Sequence, residues 1–369
     1  MNKFYYSLGL MSGTSGDGVD ASIIQSDGDN EYKVIFDNYY KYDEYIYKKI
    51  HNLKDKIKDS NDLKNQSKAL TLLEKEITLF HSTVIEKIIK DSKIDIDLIG
   101  FHGQTIFHNA KEKISIQLGD GKLLSKLATK TVVYNFRKND LNNGGQGAPL
   151  TPLFHKILAK KYKINSALFL NLGGIANLTN VQNQNDFTAK DVGPGMCLID
   201  SWIRSNTKKN YDENGDIGKS GKINELVLYK ELEKLIYKNK NLINSNKKIS
   251  YDTKDFNLNF IKELSLEDGT ATLTEYTVKI LANSLLTNSK KKKEIILCGG
   301  GRKNNFLVER IKKNNILVKF IDEFGIDGDF IESQAFAYLA IRSFLGLPIS
   351  YPKTTGVNKP SVGGIIIKT

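Results

Sequence analysis

The sequence predicts a two-domain α/β protein made by duplicating one structural unit. Three observations point there. Residues 4–24 read as strand, glycine turn, strand: Phe4, Tyr5, Tyr6 and Leu8 are apolar, Gly13 to Gly18 form a tight turn, and Val19 to Ile24 is largely apolar again. Residues 166–181 restart the pattern, with Ser166–Leu172 and Ile175–Val181 flanking the turn Gly173-Gly174. The 369 residues suffice for two domains and a large core, and 40% hydrophobic with 26% charged residues is a globular composition. A duplicated unit implies a cleft between the halves.

Taken in order, a turn at Asp27–Asn30 leads into the strand-like run Tyr32–Tyr40, so residues 4–48 read as short strands joined by turns. Residues 62–92 predict a helix, because Leu63, Leu70, Leu73, Ile77, Val84, Ile85 and Ile88 recur near helical spacing between Lys and Glu. His81 within it is expected to be a buried structural histidine. Leu98–Phe101 reads as a strand, His102–Thr105 as a turn, Ile114–Leu118 as a strand and 120–128 as a helix. Thr131–Tyr134 is a buried strand with Phe136 and Arg137 at its end. The glycine-rich stretch 142–152 leads into a helix over 152–161. Residues 222–245 and 269–288 predict helices, and Lys290–Lys293 a solvated turn. Glu294–Leu297 is a strand ending at Gly299, and Glu332–Leu345 a helix stopped by Gly346 and Pro348.

Composition excludes several function classes. The net charge is +12, but it comes from scattered Lys; Arg occurs only at 137, 204, 302, 310 and 342. Base readout and phosphate forks favour Arg, so no nucleic-acid partner is expected. Cys197 and Cys298 are far apart and form no Cys/His cluster with zinc spacing, so both read as small buried residues. The apolar runs fall short of a membrane span. A signal peptide would remove the first glycine turn, so a cytoplasmic protein is expected.

The chemistry is concentrated in a few motifs. In the first turn, Gly13, Gly16 and Gly18 let backbone N–H groups approach an anion, Thr14 and Ser15 add hydroxyls, and Asp17 and Asp20 add carboxylates able to hold Mg²⁺. Gly16-x-Gly18-x-x-Ala21 formally matches a dinucleotide fingerprint. That motif must open a helix, whereas here it runs into Ser22, Ile23 and Ile24. Gly218-Lys219-Ser220 evokes a phosphate-binding loop, but Glu213 replaces its first glycine and no strand precedes it. Asp191, just before Gly193-Pro194-Gly195, is placed to act as a general base, while Asp200 reads as a helical residue. Gln104 and Thr105 suit sugar hydroxyls or an amide, Arg137 suits a carboxylate, and Gly299 to Gly301 could lie against an adenosine.

Together these segments resemble the anhydro-N-acetylmuramic acid kinase family. The matching stretches are Met11 to Asp20, His102 to Thr105, Asn135 to Leu150, Asn171 to Asn177, Asp191 to Gly195, Cys298 to Gly301 and Glu332 to Ala337, in family order across nearly the whole chain. The resemblance implies the two-domain actin-like ATPase fold, a duplicated ribonuclease H-like unit with a central cleft. On this template one domain takes residues 1–134 plus about 350–369 and the other residues 135–349. It implies ATP and Mg²⁺, an anhydro amino sugar as substrate, and a homodimer. Gly13, Thr14, Ser15, Gly16, Asp17, Gly18, Val19, Asp20, Gly173, Gly174, Gly299, Gly300 and Gly301 would bind ATP. Asp17 and Asp20 would hold the metal. Gln104, Thr105, Arg137 and Glu332 would bind the sugar, and Asp191 would be the catalytic base. Val192 stands where Thr is usual, Met196 where Asn is usual and Asn135 where Asp is common. The alternative is an actin-like or chaperone-like ATP-driven switch that binds a protein partner. Such a switch would have no need of the polar set His102 to Thr105 with Arg137. A kinase for an ordinary hexose would take sugars without the anhydro bridge.

Overall fold

The computed structural model describes residues 3–164, 166–182, 186–243, 251, 253–286 and 294–369. The run Lys290–Lys293 lies outside them. The chain divides into two compact units, Met1–Asn165 with Asn183–Thr188 and Asp329–Thr369, and Ser166–Gln182 with Ala189–Gly328. Among the described residues no helix is long and apolar enough to cross a membrane.

The first unit is built on strands β1 (Tyr5–Ser12), β2 (Gly18–Ser26), β3 (Tyr32–Lys41), β4 (Leu98–Asn109), β5 (Ile114–Leu118) and β6 (Thr131–Tyr134). β1, β2 and β3 form an antiparallel meander, and β4 and then β6 add parallel on the other side of β1. β5 pairs with β4, and the C-terminal segment Ile365–Ile367 closes on β6. Side chains of β1 alternate between two faces. Leu8 and Leu10 share one buried core with Ile77, Val84, Ile85 and Ile88 of the long helix Ser67–Ser92. The opposite face takes the helix Ile331–Phe344. There Gly9 and Gly100 are register partners on β1 and β4. A Cβ at Gly9 would lie 1.9 Å from the Ser333 carbonyl oxygen, and one at Gly100 2.3 Å from that of Phe336. The helix backbone therefore rests directly on the sheet, and the Ser22 and Ser333 hydroxyls bond at 2.6 Å.

The second unit carries β7 (Ala167–Leu172), β8 (Ile175–Val181), β9 (Phe187–Pro194), β10 (Glu294–Cys298) and β11 (Leu317–Phe320), ordered β9-β8-β7-β10-β11. β7 and β8 are antiparallel, and β10 and β11 add parallel. The first sheet reads β3-β2-β1-β4-β6 in the same sense, so the duplicated α/β unit expected from the sequence is present. The core of the second unit gathers Leu170, Leu172, Ile199, Trp202, Leu273, Leu281, Leu297 and Leu307.

Two local expectations are corrected. Residues 44–48 are not strand: a helix spans Glu44–Lys56, with the Asp43 side chain accepting from Ile46 N and with Ile46, Ile50 and Leu53 buried along one face. His102–Thr105 is not a turn, because β4 runs through it. Gly103 takes φ +75° and the pairing with β1 shifts register there, so the strand bulges and continues.

Burial has a consequence for acid stability. Desolvation pushes His81 and His108 down to about 4, His155 to about 3 and His102 well below the ordinary range. These groups stay neutral in the folded chain but take protons once unfolded, from about pH 6.5 downward. The unfolded state then binds more protons, so stability drops as pH falls from about 6.5 toward about 4. Urea midpoints measured across that interval should decline steadily. A flat profile would place these rings in contact with water.

Candidate functional site

In the first unit, the turn between β1 and β2 is held from behind. Ser12 Oγ donates to the Gly18 carbonyl at 2.9 Å and pairs with the Tyr42 hydroxyl at 2.6 Å. Lys54 Nζ donates to Thr14 O at 2.8 Å, and His51 Nε2 bonds Ser15 O at 2.9 Å. Gln104, the register partner of Ser12, donates from Nε2 to Gly13 O at 3.0 Å. Its Oε1 is buried without a hydrogen-bond partner. The Thr14 and Ser15 side chains are exposed. Asp17 accepts from Ser15 Oγ and lies beside the Tyr39 hydroxyl, which burial and then the Asp17 charge push upward. Val19 is buried in the core, so only its backbone can meet a ligand. The hairpin geometry rules out the dinucleotide reading.

Arg137 is fixed by two acceptors. Its Nη2 donates to His102 Nε2 and its Nη1 to the Gly147 carbonyl, each at 2.8 Å. Gly147 belongs to the glycine-rich loop, which Asp140 clasps: its carboxylate, 2% exposed, accepts from Gly147 N at 2.6 Å and from the Thr355 hydroxyl. Asp140 was not among the residues singled out from sequence. The available signal is that it is the one acid between Asn135 and Pro152. Thr105 is half-buried and accepts from Gln117 Nε2 at 3.4 Å. Glu332 lies in the first turn of the helix Ile331–Phe344.

In the second unit, three of the singled-out segments meet. The Gly173 carbonyl accepts from Met196 N at 2.8 Å, and that of Gly174 from Gly195 N at 2.9 Å. Cys298 pairs with Asn171, and a Cβ at Gly299 would lie 2.3 Å from Asn171 Oδ1. Residues 171–174, 195–197 and 298–301 thus gather at the carboxyl ends of β7 and β10, where open α/β sheets bind ligands. Gly300 differs from its neighbours. A Cβ there would meet nothing within 4 Å, and its φ is not left-handed. The fold alone does not require glycine at 300. Arg302 is spoken for by Asp322, both bonds at 2.8 Å, which holds that carboxyl below its usual range.

Asp191 sits on β9, and its Oδ2 accepts from Tyr251 N at 2.9 Å. Asp200 lies inside the helix Cys197–Asn206, as its helical reading requires. Gly218-Lys219-Ser220 ends the short helix Asp216–Ser220, with Lys219 reaching Glu309 at 3.4 Å, so no phosphate-binding loop of that type is formed. Among the described residues no three His, Cys, Asp or Glu form a metal cage. Asp17 and Asp20 are half-buried near the start of β2, and carboxylates are a ligand type that Mg²⁺ combines with waters and phosphates.

The family model described as anhydro-N-acetylmuramic acid kinase matches residues 5–369. The chain is 54% identical to the anhydro-N-acetylmuramic acid kinase of Pelagibacter ubique, with 100% of each chain covered. It is 34% identical to that of Agrobacterium fabrum, again over 100% of each. Among solved structures, component A of the (R)-2-hydroxyglutaryl-CoA dehydratase of Acidaminococcus fermentans covers 92% of this chain and 98% of its own, at 10% identity and a TM-score of 0.44.

Proposed function

The chain belongs to the anhydro-N-acetylmuramic acid kinase family, and from that premise we infer that it is an ATP-dependent kinase of 1,6-anhydro-N-acetylmuramic acid. Water adds at C1, the C1–O6 bond opens, and O6 takes the γ-phosphoryl group of ATP, giving N-acetylmuramic acid 6-phosphate and ADP. The observation that carries this reading is the family match along residues 5–369.

We assign the proton of the attacking water to Asp191, a carboxylate oriented by the Tyr251 N–H. The turn Gly13 to Asp20 takes phosphates through its N–H groups and the exposed Thr14 and Ser15 hydroxyls. Gly173, Gly174 and Gly299 to Gly301 take the rest of the nucleotide. Asp17 and Asp20 would hold Mg²⁺, which neutralises charge on the transferring phosphoryl group. Gln104, Thr105 and Glu332 bind sugar polar groups, and Arg137 the lactyl carboxylate. The buried, unpartnered Oε1 of Gln104 supports that role, since it needs a donor.

The test is turnover in ¹⁸O-labelled water. Label at the anomeric oxygen of a 6-phosphorylated product is the expected result. ATP hydrolysis indifferent to the sugar would instead support a nucleotide switch, and equal turnover of an ordinary hexose would remove the anhydro specificity. Gly300→Ala should leave the urea midpoint unchanged, because its Cβ meets no atom, while raising the KM for ATP roughly tenfold through lost close approach. Unchanged ATP KM would take Gly300 out of the nucleotide site.

A further inference from the structure

We propose that His102 is a positioning residue, an uncharged acceptor that sets the plane of the Arg137 guanidinium for the substrate's carboxylate. The inference rests on the reading of Arg137 given above. His102 is 4% exposed, at the bulge of β4, with its ring against Phe336 at 4.5 Å between centroids. Its Nδ1 donates to the Gly103 carbonyl at 2.8 Å, the next peptide in the bulge. That bond puts the proton on Nδ1 and turns the lone pair of Nε2 outward, where it receives Arg137 Nη2. The second terminal nitrogen, Nη1, is held by Gly147 O, and Asp140 fixes Gly147 in turn.

A guanidinium is planar, so one acceptor on each terminal nitrogen defines its orientation. A planar fork already oriented loses less entropy when it binds a carboxylate bidentately. An acidic partner in place of His102 would hold the arginine too, but it would compete with the incoming anion. A protonated imidazole could not accept at all. Burial first, and the Arg137 charge second, keep this ring neutral. The bulge, the aromatic seat and the tautomer converge on one lone pair.

The experiment compares His102→Phe, His102→Gln and Arg137→Gln by steady-state kinetics on both substrates. His102→Phe keeps an aromatic ring but removes the acceptor. It should raise the KM for the anhydro sugar roughly tenfold to a hundredfold, the cost of one bond to a charged group, with kcat and the KM for ATP within about twofold. His102→Gln, whose Oε1 reaches toward the place of Nε2, should restore most of the loss. A His102→Phe chain with native sugar KM, or equal losses in Phe and Gln variants, overturns the proposal. If Arg137→Gln leaves sugar KM untouched, the carboxylate role of Arg137 has failed and the inference falls with it. If Arg137→Gln raises that KM while His102→Phe does not, only the inference falls. Nitrogen NMR of the unsubstituted protein tests the tautomer without any variant. An unprotonated Nε2 at neutral pH is expected, and a protonated one ends the proposal.

Discussion

Asp191→Asn should retain both substrate affinities and lose turnover by on the order of 10²–10⁴-fold, the usual worth of a general base. The substitution is nearly isosteric. The side-chain oxygen of Asn can still accept from Tyr251 N, so the local backbone has no reason to move. What disappears is the capacity, proposed for Asp191, to take a proton from water as it attacks C1. Affinity and turnover therefore separate: KM values for ATP and the sugar should stay within a few-fold while kcat collapses, the pattern of an interaction made only in the transition state. Stopped-time assays of ADP release with both substrates varied would show it. Near-native kcat would reduce Asp191 to a residue that merely holds the Tyr251 N–H.

Gly9→Ala should destabilise the protein by about 3 kcal/mol, the upper part of the range for overpacking a rigid site. The added carbon would lie 1.9 Å from Ser333 O and 2.6 Å from Ala337 N. Both are helix backbone, so no rotamer change relieves the clash. The helix Ile331–Phe344 must lift off the sheet, which strains the Ser22–Ser333 hydroxyl bond and opens gaps beneath Phe336. A urea titration reads this as a lower midpoint with similar slope. Equal midpoints for Gly9→Ala and Gly300→Ala would mean that the helix rides loosely on β1. The turn proposed to take phosphates begins four residues after Gly9, so activity should fade at lower denaturant as well.

The pattern of glycine turns between apolar runs was enough to read the duplicated α/β unit, because both signals are local. The helix Glu44–Lys56 escaped reading because its buried stripe is only Ile46, Ile50 and Leu53 amid Tyr and Lys, directly after a strand. Gly103 looked like a turn because a left-handed glycine serves turns and bulges alike, and only pairing with neighbouring strands distinguishes them. The candidate residues themselves were legible as motifs. Their partners were not: Arg137 meets His102 across 35 positions, Asp191 meets Tyr251 across 60, and Asp140 meets Thr355 across 215. Such pairs depend on tertiary closure, which no spacing rule encodes.

The first unit is not contiguous in the chain, and this bears on how it is made. The helix that covers Gly9 and Gly100, the strand beside β6 and the Thr355 hydroxyl that grips Asp140 all come from residues 329–369. During vectorial synthesis the opening hairpin leaves the ribosome long before its cover does. The nascent sheet must wait, one face bare, until residues 329–369 have been made. A chain broken off before residue 329 would therefore damage its own opening strands first.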